Sequence, residues 1–422
     1  MREEINNING IELCSALNTN LKSFCLSLYV RAGSIFEDSS NNGITHLFEH
    51  VVFRNLKRKF ENFYERLAFH GIDLQGCTYK EFLCFTINGP YNEFDFAIDV
   101  LCGLFDEIVI KSDEFINEKK RIKAEIRENN QRDTLDYYFQ KQVWRGSSAE
   151  KTIIGYCKIL DNISLKKLND FRKEIFSKGN CLICVTGNVT EENIDKLKER
   201  INGLDIYTAQ NVRANSVAVC DEFFNRSGSV FVKNGYWHYV QIGFDIDTAK
   251  YSNGVLDLLY AILFKGEKAL FHNYLSEENP IIYSYDGTLE QYDNVGNLYF
   301  NFEVSKNKIY EAIMVVSKLF CDVKAGLFNF EANLQSEIYA LDMDVDNPNA
   351  LNFNNAYYNH VLKSAPIDYN DEFYGRFRVT KEEVIAAAKD IFKISNMTVA
   401  IKGDKRKIDA EKIEKILRGE KP

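Results

Sequence analysis

Histidine is scarce in this chain, six in 422 residues, and positive charge falls short of negative: 52 Lys and Arg stand against 61 Asp and Glu, a formal net charge of −9. That balance argues against a general nucleic-acid binder. No stretch supplies eighteen apolar residues in succession, so no membrane-spanning helix is expected. The polar start Met1-Arg2-Glu3-Glu4-Ile5-Asn6 lacks the apolar segment of a secretory signal. The ten cysteines lack the compact spacing of a disulfide framework and scatter from Cys14 to Cys321, which points to a reducing, cytoplasmic setting. The one C-x-x-C, Cys181 to Cys184, lies in an apolar strand-like run where the two thiols point to opposite faces. Structural burial is the expectation there, against a redox or zinc pair.

What is present is a soluble globular composition, 45% hydrophobic and 27% charged, long enough for two or three domains. Two of the six histidines fall in Thr45-His46-Leu47-Phe48-Glu49-His50-Val51-Val52-Phe53, in the order H-x-x-E-H, the zincin motif reversed. On a helix His46 and His50 are i and i+4, so both imidazoles leave one face and can close on one small cation. Glu49 stands on nearly the same face, beside the cation, where a carboxylate can take a proton from water. Neutral imidazoles hold Zn²⁺ without cancelling its charge, which leaves it able to lower the pKa of water to about 7. The bland alternative is an amphipathic core helix whose histidines merely pack.

A third ligand is available in Asn117-Glu118-Lys119-Lys120-Arg121-Ile122-Lys123-Ala124-Glu125-Ile126, a helix-favouring run without Pro or Gly. Glu118 and Glu125 lie seven residues apart and share one face. His₂Glu is a known catalytic zinc set. Without the histidine pair this run would read as a solvated, salt-bridged face.

Along the chain, strands are expected over Phe24–Val30, Phe82–Asn88 and Cys181–Thr186, and helices over Phe63–Phe69, about Phe94–Ile108, and from Asp113 past Asn130. Ser164 caps a further helix. The second half repeats the closing pattern: a capping box at Thr380-Lys381-Glu382-Glu383 opens a helix, Met397–Ile401 is a strand, and Gly403-Asp404 follows, about 216 residues after the first such unit. The strand Tyr239–Phe244 likewise echoes Leu26–Val30. This spacing marks a duplicated domain rather than a solenoid. The expected division is 1–208, a linker and entering strand at 209–230 with linker composition in Ala209–Ser216, and 231–422. Each half mixes strands and helices without βαβ regularity, an α+β architecture.

With the H-x-x-E-H motif, Gly33-Ser34, Glu37 and Gly43 before it, and Glu118 and Glu125 after it, the chain resembles the inverzincin family of pitrilysin, insulin-degrading enzyme and mitochondrial processing peptidase. In that family a ligand glutamate follows the motif by some 75 residues. The resemblance implies two homologous domains, each a sheet packed with helices, with Zn²⁺ in the first only. It also implies that His46, His50 and Glu125 are the metal ligands, Glu49 the catalytic base and Glu118 a supporting carboxylate, in a metalloendopeptidase acting on peptides. Relatives of this length enclose the substrate between two chains.

Two departures stand out. The family has Asn-Ala where this chain has Gln75-Gly76, in the edge strand that pairs with the substrate backbone, and Gly at an edge loosens a strand. The family's second domain carries an Arg and a Tyr that bind substrate, and here Tyr283 is in place but no Arg or Lys lies between Leu270 and Tyr283. The simplest repair is a heterodimer with a homologous subunit supplying the Arg/Tyr pair, with a homodimer as the alternative. The rival reading is a non-catalytic scaffold or peptide-binding subunit that retains the fold.

Overall fold

A computed structural model describes residues 2–128, 133–208, 216–226, 230–357, 375 and 378–420. The chain forms two compact units, residues 1–130, 151–215 and 342–369 in the first and 131–150, 216–341 and 370–422 in the second. The linker composition at 209–215 lies outside the described residues.

In the first unit, β1 (Arg2–Ile8), β2 (Ile11–Leu17), β3 (Ser23–Val30), β4 (Asp73–Thr78), β5 (Leu83–Pro90) and β6 (Cys181–Gly187) make one sheet in the order β1-β2-β6-β3-β5-β4. Only β2 and β6 run parallel. The central strands β3 and β6 are mostly apolar, and every residue but Ser23 is buried, because both faces are covered. On one face lie α1 (Ile44–Lys59), α2 (Phe63–Phe69), α3 (Phe94–Leu104), α4 (Ser112–Glu128), the short α6 (Cys157–Asn162), α7 (Leu165–Ile175) and α8 (Glu191–Asn202). The other face is covered by α13 (Pro348–Ala356), from the far end of the sequence, packed on β3 and β6. Cys181 belongs to the core under the first face and Cys184 to the small cluster with Tyr29, Phe82 and Ala356 on the opposite face, both as buried free thiols.

The second unit repeats the plan. Strands β7 (Val230–Asn234), β8 (His238–Ile246), β9 (Tyr285–Gln291), β10 (Gly296–Val304) and β11 (Met397–Gly403) follow the order β7-β11-β8-β10-β9, with β7 and β11 parallel. Leaving β1 aside, strand for strand this is the order of the first sheet. Helices α9 (Asn253–Phe264) and the short α10 (Leu270–His272) follow β8 as α1 and α2 follow β3. In the same way α11 (Ile309–Lys324) and α12 (Phe330–Asp344) follow β10, and α14 (Lys381–Ile391) and α15 (Ala410–Leu417) flank β11. The second face is covered by α5 (Leu135–Val143), which packs on β8 and β11. Each sheet thus takes its covering helix from the other half of the sequence.

Local signals are honoured. Ser164 accepts from the Lys167 amide (3.1 Å), and Thr380 and Glu383 form both bonds of the capping box. Helix α3 stops at Leu104, short of Ile108. Helix α4 ends at Glu128, with 129–132 outside the described residues. No helix among the described residues is long and apolar enough to cross a membrane.

Candidate metal centre

Helix α1 begins at a turn built for it. Gly43 takes φ 95°, and a Cβ there would lie 2.9 Å from the Gly155 Cα, so only glycine fits. The buried Glu37 carboxylate reaches back to the helix start, accepting from the amides of Gly43 (2.7 Å) and Thr45 (3.0 Å) and from the Thr45 hydroxyl (2.7 Å). It thereby satisfies amides that would otherwise be buried without partners and places negative charge at the positive end of the helix dipole. Lys57, Arg58 and Lys59 complement the other end. Leu47, Phe48, Val51 and Val52 pack into the core, and this rotation turns His46, Glu49 and His50 away from it, toward α4 and β4.

Helix α4 meets that face with the stripe Phe115, Glu118, Ile122 and Glu125, two carboxylates in a row whose other members are buried apolar residues. His46 Nε2 lies 3.2 Å and His50 Nε2 3.8 Å from the same Glu125 oxygen, Oε2. The two imidazoles stand edge to face with centroids 4.7 Å apart. Donors about 2.1 Å from a tetrahedral zinc ion lie roughly 3.4 Å from one another. The first spacing already fits, and the second fits after a shift of a few tenths of an ångström. His46, His50 and Glu125 are the one such convergence of candidate ligands among the described residues.

The surroundings match the donor set. Glu118, 1% exposed, has Oε2 3.6 Å from His50 Nδ1, while its other oxygen accepts from Arg54 Nε. Arg121 flanks it at 3.6 Å. Glu49 lies with Oε2 3.8 Å from His46 Nδ1, a buried nitrogen without a hydrogen-bond partner, and that same oxygen accepts from the Thr78 hydroxyl at 2.5 Å. Burial disfavours the charged form of His46, but the Glu125 carboxylate that accepts from its Nε2 and the negative charge of nearby Glu49 outweigh it and raise the imidazole to about 9. Burial likewise opposes ionisation of Glu49 and Glu118. His46 and Thr78 nevertheless hold Glu49 below the usual carboxylate range, and His50 and Arg54 do the same for Glu118. Glu125 is lowered first by its bond to His46. Three ionised carboxylates around two imidazoles make a site that draws a cation.

The base sits against an edge strand. β4 is the outermost strand of its sheet, so one row of its backbone donors and acceptors has no strand partner. A Cβ on Gly76 would come within 2.9 Å of Glu49 Cγ and 2.8 Å of Phe53 Cε2, so glycine here lets α1 lie close beneath the edge. Tyr283 lies on the bend before β9 rather than in a strand, and its side chain is fully exposed. Leu275, within the stretch from Leu270 to Tyr283 that has no Arg or Lys, is completely buried.

The sequence carried no explicit sign of Arg54 as the partner of Glu118, or of Thr78 as the donor to Glu49. For Arg54 a signal did exist: it lies four residues after His50, on the same helical face. For Thr78 the only hint was its place two residues after Gly76 in the edge strand.

The profile of the insulinase family, peptidase family M16, matches residues 15–156, and that of the peptidase M16 inactive domain matches residues 162–333. The uncharacterized zinc protease YmxG of Bacillus subtilis is 22% identical over 197 residues, 45% of this chain and 47% of that protein. The mitochondrial-processing peptidase subunit beta of Rattus norvegicus is 22% identical over 192 residues, 45% of this chain and 39% of that protein. These matches span less than half the length of either relative. A protease from Helicobacter pylori superposes with a TM-score of 0.82 at 16% identity, covering 96% of this chain and 99% of that one, and so shares the fold. Matched in succession by two profiles of one family, which between them span most of its length, this chain belongs to peptidase family M16.

Proposed function

We propose that this protein is a zinc-dependent peptidase that hydrolyses peptides in the cytoplasm, with residues 1–208 as the metal-bearing half and 231–422 as its duplicate without ligands. The observation that carries this reading is the convergence of His46 Nε2, His50 Nε2 and Glu125 Oε2 beside an ionised Glu49. Those three donors would hold Zn²⁺, which when bound supplies the positive charge that acidifies water and polarises a peptide carbonyl. Glu49 accepts the proton of the attacking water at Oε1, since Oε2 is engaged by Thr78, and returns it to the departing amine. Glu118, anchored by Arg54, faces His50 Nδ1 at 3.6 Å and would orient that ring with Nε2 toward the cluster. The open edge of β4 offers amides and carbonyls for an extended peptide to pair with as an added strand.

The reading extends to assembly. With no Arg or Lys between Leu270 and Tyr283, Tyr283 has no Arg or Lys beside it in its own segment. A homologous partner subunit would bring Arg and Tyr to the substrate carbonyl, forming a heterodimer; a homodimer using Tyr283 is the alternative. The second matched profile, an inactive domain, favours one competing reading, a peptide-binding subunit without turnover.

The test is Glu49→Gln assayed on a mixed peptide pool, alone and with a homologous subunit added. Gln cannot carry the proton, so zinc should stay bound while cleavage falls by about 10²–10⁴-fold. Undiminished cleavage by the variant, or no cleavage by the wild type in any assembly, would sink the peptidase reading. Full activity of the isolated chain would sink the heterodimer alone.

A further inference from the structure

One end of the second unit carries surface chemistry that its topology does not require. Residues 235–237 carry the chain from β7 to β8 across the end of β11, where the Gly235 amide donates to the Gly403 carbonyl (2.9 Å). There Tyr236 and Trp237 stand 72% and 59% exposed, their rings edge to face at 5.3 Å. The chain's other tryptophan, Trp144, is fully buried. Lys306, from the turn after β10, places Nζ 4.6 Å from the Tyr236 ring centroid. The turn after β11 adds exposed Lys405, Arg406 and Lys407, with Asp404 paired to Arg406 at 3.1 Å. That turn adjoins the aromatic pair through His238, whose Nε2 accepts from the Asp404 amide (3.4 Å).

The first unit is an internal control. The same three connections there read Asn18-Thr19-Asn20-Leu21-Lys22 after β2, Tyr91-Asn92-Glu93 after β5 and Asn188-Val189-Thr190 after β6. They make the same crossings with one exposed tyrosine, Tyr91, whose ring lies 5.8 Å from Lys22 Nζ, but with no tryptophan, no paired rings and no basic cluster, the one lysine being offset by one glutamate. The fold therefore needs neither the aromatic pair nor the basic cluster, and a chain of net charge −9 has concentrated cations around two exposed aromatic rings.

We propose that this end of the second unit docks on an anionic lipid surface. Indole and phenol rings settle at the headgroup level, apolar body inward and polar tip to water, and flanking Lys and Arg draw anionic headgroups. Single-stranded nucleic acid fits less well, because it needs flat platforms for successive bases. Here the rings are nearly perpendicular, at 85°, and Lys306 already covers the Tyr236 face.

The full-length protein is sedimented with vesicles of phosphatidylcholine alone and of phosphatidylcholine with phosphatidylglycerol, at low and high salt, with Trp237 fluorescence as a second readout. It should bind the phosphatidylglycerol vesicles with a blue shift, bind phosphatidylcholine weakly, and release as salt rises. Tyr236→Ser with Trp237→Ser should abolish the blue shift and weaken binding. Lys306→Glu with Lys405→Glu and Lys407→Glu should lower partition by at least about tenfold. Circular dichroism checks that both variants remain folded, as expected for substitutions at exposed positions. The proposal is overturned by failure of the wild type to bind anionic vesicles at low salt, by equal binding of both variants, or by tighter binding of a single-stranded oligonucleotide than of vesicles.

Discussion

The two units share a strand order and a helix order, yet one presents a cluster of histidines and carboxylates and the other a dry core at the corresponding place. After β3, α1 turns His46, Glu49 and His50 toward α4; after β8, nearly every residue of α9 is buried, with Leu256, Leu259, Ile262 and Leu263 in the core. Both edge strands carry a glycine that lets the helix approach. Gly76 abuts Glu49 and Phe53, whereas Gly287 abuts Phe264, whose ring packs on Phe271 and Phe300. Even the buried carboxylate is retained: Glu118 bonds Arg54, and Glu337 on α12 bonds Lys265 just past α9 (2.9 Å). The framework therefore does not choose the chemistry. A few side chains on one helix and its neighbour do.

The sharpest way to break the comparison is to make the first unit resemble the second. His50→Ala removes one of three protein donors, and zinc should fall from about one per chain to near zero together with cleavage. Metal analysis finding full zinc in that variant would displace the assignment.

A smaller effect separates ligand from support. Glu125→Gln should lose the site, whereas Glu118→Gln and Arg54→Ala should weaken zinc about 10–100-fold and leave it detectable. Lys265→Ala, the matching change in the second unit, should leave zinc affinity untouched. Equal losses from Glu118→Gln and Glu125→Gln would mean that the ligand lies one heptad earlier.

The proposed site in the first unit should also depend on pH. His46 is raised to about 9, so in the metal-free protein it keeps its proton at neutral pH and zinc must displace it. Zinc affinity should therefore rise with pH, about tenfold per unit, until pH passes about 9 and the proton is already gone. Calorimetry in buffers of different ionisation enthalpy should report about one proton released per zinc at pH 7. No release would show that His46 is neutral before the metal arrives.

The mildest test compares the two edge glycines. A methyl group at Gly76 meets Glu49 Cγ and Phe53, and one at Gly287 meets the Phe264 ring at 2.5 Å. Each alanine variant should lose about 1–3 kcal/mol of stability by denaturant unfolding, and Gly76→Ala alone should also slow cleavage. If Gly287→Ala slows cleavage equally, strain rather than displacement of Glu49 is responsible.

How much was legible beforehand depended on range. H-x-x-E-H could be read because i, i+4 geometry places both imidazoles together whatever surrounds the helix, and the caps at Ser164 and Thr380 are equally local. The duplication was legible because strand, helix and glycine recur in one order. Sequence spacing left Glu118 and Glu125 equivalent on one face of α4. Only the packing of α4 on α1 sets Glu125 against both imidazoles and buries Glu118 behind His50 with Arg54.

The covering helices make the same point at larger scale. Residues 135–143 and 348–356, which were not among the elements expected from sequence, form short helices capped by Thr134 and Asn347. Nothing in a stretch of nine residues says which sheet it will cover. That is decided when β3 and β6, which must be buried on both faces, leave one face open for α13, and when β8 and β11 do the same for α5. By itself, the sequence determined several of the helices and strands, the recurrence of its closing pattern and the residue types able to hold a cation. Tertiary structure decided which carboxylate meets the histidines, which arginine steadies it and which edge strand lies over the base, because each of these depends on contacts between segments dozens to hundreds of residues apart.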